Sequence, residues 1–119
     1  MSNTIRDLQN RVHELARAKG WWPRDLVALD ADFTDRVLVK LALVHSEVSE
    51  AVEEARAGRI DWCIPANDGK PEGMVTELAD AVIRIMDLCE ALGLDLQSAI
   101  ATKHTFNATR PHRHGGKHA

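Results

Sequence analysis

Tyrosine is absent from this 119-residue chain, and two phenylalanines and three tryptophans bring the aromatic content to only 4%. That scarcity argues against a β-sheet core, because aromatic and β-branched side chains are the ones that fit a pleated surface. Cysteine is limited to Cys63 and Cys89. They have neither metal-ligand spacing nor a disulfide framework around them, so a reduced, cytoplasmic protein is expected. No apolar run approaches the roughly 18 residues that span a membrane, and the N-terminus lacks the apolar core of a secretory signal. A net charge of −3 provides no general attraction to nucleic acid or anionic lipid. Also missing are a Gly-x-x-x-x-Gly-Lys-Ser/Thr phosphate loop and a Gly-x-Gly-x-x-Gly fingerprint. No glutamate is followed three residues later by histidine, which excludes the usual carboxylate-bridged di-iron bundle. No His-Asp dipeptide occurs, which removes the usual histidine-aspartate phosphohydrolase arrangement.

What the chain does contain is helical periodicity. Residues 4–19 repeat Ile5, Leu8, Val12, Leu15 and Ala16 at helical spacing, with Asn3 or Thr4 as cap and Gly20 as stop. Trp21-Trp22-Pro23 breaks the pattern, and a short helix is expected over Asp25–Leu29. A long second helix should start near Thr34-Asp35 and run to Gly58, with Val37, Leu41, Val44, Val48, Ala51, Val52 and Ala55 inward. Residues 59–70 hold proline and Asn-Asp-Gly and read as a loop. Pro71-Glu72 suits a helix start. The third helix then runs to about Leu92, with Met74, Leu78, Ala81, Ile85, Leu88 and Leu92 inward. Asp95 can cap a fourth helix ending near Asn107, and the chain beyond Pro111 should be irregular. The expected fold is all-α, a single domain built as an antiparallel four-helix bundle. So thin a bundle leaves apolar surface on its long helices, so a homodimer or homotetramer associating through helices is expected.

Two acidic pairs, Glu47-x-x-Glu50 and Glu77-x-x-Asp80, lie on the second and third helices. A three-residue step turns about 300°, so each pair projects two carboxylates from one face, a turn apart. Taken singly, such pairs are ordinary features of solvated faces. Here both flank their apolar stripe on the same side with the same angular offset. If the stripes pack together, Glu47 and Glu77 meet at the margin of the contact, where unpaired carboxylates would repel and a cation must compensate. Arg84, one turn beyond Asp80, is one candidate. A hard divalent ion is the other, and an oxygen-rich set with little His or Cys nearby suits Mg²⁺ or Mn²⁺ better than zinc.

The segments KLALVHSEVSEAVEEAR, TELADAVIRIMDLCEALG and KHTFNATRPHRHGGK together resemble the MazG-like all-α nucleotide pyrophosphohydrolases. That superfamily includes the dimeric dUTPases and dCTP pyrophosphatases. Its E-x-x-E…E-x-x-D pattern falls on Glu47, Glu50, Glu77 and Asp80, and the resemblance covers about residues 35–117. Ser46 stands where many of these enzymes carry a further glutamate, which bears on metal number or on the water-activating group.

The resemblance implies a Mg²⁺-dependent hydrolysis of (d)NTP to (d)NMP and pyrophosphate that controls a nucleotide pool. Mn²⁺ would substitute for Mg²⁺ in that reaction. Glu47, Glu50, Glu77 and Asp80 would hold metal, and Glu47 or Glu50 would orient or deprotonate water. Lys103, Asn107 and Arg110 look like phosphate and sugar contacts, and share a face if the helix extends that far; a basic helix end that complements the dipole is the plainer alternative. Lys40 is either a further phosphate ligand or a solvated lysine. Trp21, Trp22 and Trp62 are candidates for stacking on a base or for capping the bundle ends. Gln9, Asn10 and His13 are candidates for polar base contacts. His112, His114 and His118 suit a polar tail better than a metal site, and Cys89 suits packing better than nucleophilic chemistry. The alternatives are a non-catalytic helical interaction module and a phosphoribosyl-ATP pyrophosphohydrolase.

Overall fold

The computed structural model describes residues 3–22, 32–62 and 69–111. The short helix expected over Asp25–Leu29, Cys63 and the tail histidines His112, His114 and His118 lie outside the described residues. Four α-helices and no strand occur among the described residues: α1 (Ile5–Ala18), α2 (Phe33–Arg56), α3 (Met74–Ala91) and α4 (Leu96–Ala108). No described helix is long and apolar enough to cross a membrane.

The helix ends follow local chemistry. Thr4 accepts the Asp7 N–H at 3.2 Å and donates its hydroxyl to the Asp7 carboxylate at 2.8 Å, closing the first turn of α1. Asp95 caps α4, accepting the Ser98 N–H at 3.0 Å and the Ser98 hydroxyl at 2.8 Å. At the other end of α1, Trp21 N–H reaches back to Ala16 O and Gly20 N–H to Arg17 O, both at 3.0 Å, so the last carbonyls are satisfied. The start of α3 departs from expectation. Pro71 and Glu72 precede the helix, and Gly73 is its N-cap, with φ 109° and ψ 165°. The adjoining backbone fixes this later start, because Met74 N–H donates to Arg59 O at 2.8 Å.

α3 is the central element, packing against α2 on one side and α1 on the other. Ala51 on α2 and Ala81 on α3 are nearly sealed, at 4% and 5% exposure, as their place in the expected stripes requires. The rest of the buried surface does not follow those stripes. Leu41, Val48, Val52 and Leu78, expected inward, are 40–50% exposed, while Glu47 is buried at 8%. The acidic edge of α2 is thus drawn into the contact, and one flank of the apolar stripe is left on the surface.

α4 is only loosely attached. It packs chiefly against α1, through the Arg6–Asp95 ion pair and a hydrogen bond from Arg6 N–H to Gln97 Oε1 at 3.0 Å. No residue of α4 is buried, and Ile100 and Phe106 are exposed.

Candidate metal centre

Glu47 from α2 and Glu77 and Asp80 from α3 each bring one carboxylate oxygen within 4.8 Å of the others. Helical periodicity explains the convergence. Glu77 and Asp80 are one turn apart on α3, and the packing of α2 against α3 brings Glu47 opposite them. Arg84, one turn beyond Asp80, donates Nε–H to Glu47 Oε1 at 2.8 Å. One guanidinium therefore balances one of the acids.

The other acids remain under mutual repulsion. Burial, a side-chain hydrogen bond with Glu50, and the charges of Glu50, Asp80 and Glu47 push the Glu77 carboxyl up to about 7. Burial and the Glu47 charge also raise Asp80, against the opposing pull of Arg84. Glu50 is exposed and lies outside the three converging oxygens, and it bears on the group through its influence on Glu77. A proton on Glu77 or a cation among these oxygens would each relieve that repulsion. All the donors are carboxylate oxygens, the donor type that hard divalent cations take.

A stability signature follows from the raised carboxyls. Because Glu77 binds its proton more tightly in the folded than in the unfolded chain, the metal-free fold gains most below pH 4.5. It loses that gain as pH rises to about 7, and Asp80 acts in the same direction. Thermal unfolding in EDTA should therefore show stability falling by about 1–2 kcal/mol over this window, allowing for solvent screening. Saturating Mg²⁺ should flatten the dependence. A pH-independent melting temperature in EDTA would contradict the raised carboxyls.

Beside the acids lies a cavity of ≈ 710 Å³. Val12, Leu15, Ala16 and Trp21 form its α1 side, Lys40, Leu43 and Glu47 come from α2, and Asp80, Ile83, Arg84 and Asp87 come from α3. Trp21 lies on this wall and is 62% exposed. Lys40 borders the cavity, but its Nζ already donates to Trp21 O at 3.2 Å and sits 4.2 Å above the Trp22 ring. Trp22 and His13 converge on Asp87 instead. Trp22 Nε1–H reaches Oδ1 at 2.9 Å and Oδ2 at 2.7 Å, and His13 Nδ1–H donates to Oδ1 at 2.7 Å. Their rings meet edge to face with centroids 5.7 Å apart.

Other candidates lie elsewhere. Gln9 is buried at 4%, and its amide is committed to Glu90 Oε1 at 2.9 Å and Leu94 O at 2.8 Å, at the junction of α1 with the end of α3. Asn10 also donates to Glu90, at 3.3 Å. Trp62 is 57% exposed in the α2–α3 connection and does not line the cavity. Lys103 and Asn107 are exposed on α4, outside the cavity lining, with Lys103 Nζ 4.9 Å above the Phe106 ring. Arg110 falls past the end of α4, so it does not share a helical face with them. Ser46 bonds back to Leu43 O at 2.6 Å. Burial raises the Cys89 thiol, which suits a packing role.

Asp87 is not among the candidates singled out from the sequence. The signal was there: Asp80, Arg84 and Asp87 fall at successive turns on one face of α3, and an acid inside an otherwise apolar stretch requires a partner. In comparisons with known proteins no family model matches this chain, and no curated protein or solved structure matches it.

Proposed function

We propose that the chain is a metal-dependent nucleoside triphosphate pyrophosphohydrolase that converts (d)NTP and water to (d)NMP and pyrophosphate. The observation that carries this reading is the convergence of Glu47, Glu77 and Asp80 oxygens within 4.8 Å, at the edge of a cavity large enough for a nucleoside. The resemblance of the two acidic motifs to the MazG-like enzymes supplies the reaction class. Glu47, Glu50, Glu77 and Asp80 would hold Mg²⁺. The bound ion would neutralise phosphate oxygens and acidify a water molecule.

The chain's own residues divide the remaining work. Glu47 or Glu50 orients the attacking water, whichever keeps an oxygen free for its proton. Arg84 is a resident counter-ion of Glu47, which it would release to a bound cation, and its guanidinium would then suit a phosphate oxygen. In Arg84→Met, metal-free stability should fall by about 1–2 kcal/mol, the figure for a broken buried pair discounted for the exposure of Arg84. Affinity for Mn²⁺ should rise several-fold, because a competing charge is gone. Calorimetric Mn²⁺ titration checks this, and weaker binding in the variant would contradict a counter-ion role.

The working unit in this proposal is a homo-oligomer. Leu41, Val48, Val52, Leu78 and Val82 form an exposed apolar flank on α2 and α3, and α4 has no buried residue. A second copy covering that flank would complete the antiparallel four-helix bundle. It would also allow Lys103, Asn107 and Arg110 to approach phosphate. The setting is cytoplasmic nucleotide-pool control. The same flank favours the rival reading, a non-catalytic interaction module. Titration with Mg²⁺ and an α,β-imido dNTP separates the two: the enzyme binds nucleotide only with metal, and the module shows no metal-dependent nucleotide binding.

A further inference from the structure

Asp87 has a feature that a purely structural aspartate does not need. Its side chain is 13% exposed, and it borders the same cavity as the acidic group. It lies seven residues, hence about 10 Å, along α3 from Asp80. That is the scale on which a nucleotide separates its phosphates from the edge of its base. A carboxylate offers roughly four lone-pair sites. His13 takes one on Oδ1, and the single Trp22 N–H is shared between Oδ1 and Oδ2. Oδ2 therefore keeps acceptor capacity that no other described donor fills. Val12, Leu15 and Ile83 give the same cavity apolar walls, and Trp21 adds an aromatic face.

Apolar walls with one acceptor at the far end match a flat heterocycle that presents an N–H donor. We propose that Asp87 selects nucleobases bearing an exocyclic amino group, of the cytosine or adenine type, over those with a carbonyl at that position. The proposal rests on the reading of the cavity as a nucleotide site. A base amino group donates to Asp87 Oδ2 and completes its coordination. Uracil and thymine present a carbonyl oxygen there, and the N3–H of each is flanked by two carbonyls, so lone pairs face a carboxylate. The discrimination comes from repulsion, because the wrong base sets a carbonyl oxygen against a largely buried carboxylate. His13 and Trp22 are positioning residues that fix the Asp87 rotamer.

The test compares matched pairs of α,β-imido nucleotides by calorimetry with Mg²⁺: cytosine against uracil, and adenine against hypoxanthine. Each pair differs chiefly in amino versus carbonyl at one position. The amino member should bind at least tenfold more tightly in both pairs. In Asp87→Asn the preference should shrink to within threefold or reverse, because the amide can donate to a carbonyl. Binding of inorganic tripolyphosphate should stay unchanged in that variant. Equal affinities within both wild-type pairs would overturn the selection while leaving the pyrophosphohydrolase reading intact. A variant that loses affinity equally for both members would overturn it too, since that reports a structural role only. If Asp87→Asn does not fold, the wild-type ratios decide. If no nucleotide binds in the presence of metal, both readings fall.

Discussion

Glu47→Gln and Asp80→Asn are each expected to reduce metal-dependent pyrophosphate release by about 10³-fold or more, the scale of losing a metal-held electrostatic interaction in a transition state. The two should differ in stability, which distinguishes site chemistry from misfolding. Glu47 is buried and paired to Arg84 at 2.8 Å. Neutralising it strands the guanidinium and should lower the melting temperature in EDTA. Asp80 is raised by burial and by the charge of Glu47, so its neutralisation relieves repulsion and should leave the metal-free fold as stable or more so. An Asp80→Asn protein that is well folded and inactive is therefore the informative variant. Unchanged release in both would remove these acids from the reaction.

Gly73→Ala should destabilise the fold by about 3 kcal/mol or more, since its backbone lies in a region that only glycine adopts without strain. Gly73 has φ 109° and ψ 165°, and a Cβ built there would sit 2.1 Å from Asp61 O. Backbone is on the other side of that contact, so no flexible side chain can move out of the way. A fall in melting temperature of about 10 °C or more follows. The damage would reach the acids, because Glu77 N–H bonds to Gly73 O at 3.2 Å in the first turn of α3. Chemical denaturation of the variant checks this, and a loss under about 1 kcal/mol would show that the connection can rearrange.

The helix map was largely legible because its signals are local. Thr4, Gly20 and Asp95 act through neighbours within a few residues, and each marks its helix end as the sequence suggested. The acidic motifs were legible for a similar reason. A three-residue spacing fixes the face of a helix, and only one packing step was needed to bring Glu47 to Glu77 and Asp80. What escaped depends on contacts distant in sequence. The start of α3 at Met74 is decided by Arg59 and Asp61, not by Pro71. Ala51 and Ala81 are buried as their periodicity suggested, but the burial of Glu47 and the exposure of Val48 depend on how α2 and α3 are turned towards each other, which neither helix's periodicity encodes. Asp87 became interpretable only once α1 brought His13 and the following turn brought Trp22 to it. The place of Lys103 and Arg110 was likewise not set by spacing, because α4 is held mainly by its first turn against α1.

The most direct measurement of the central claim is pyrophosphate release across the eight common NTPs and dNTPs, run with Mg²⁺, with Mn²⁺ and with EDTA. The proposal predicts release of pyrophosphate and nucleoside monophosphate in equal amounts from at least one substrate, only with metal, and lost in Asp80→Asn. Release of orthophosphate instead, or no product from any of the eight with either metal, would contradict it.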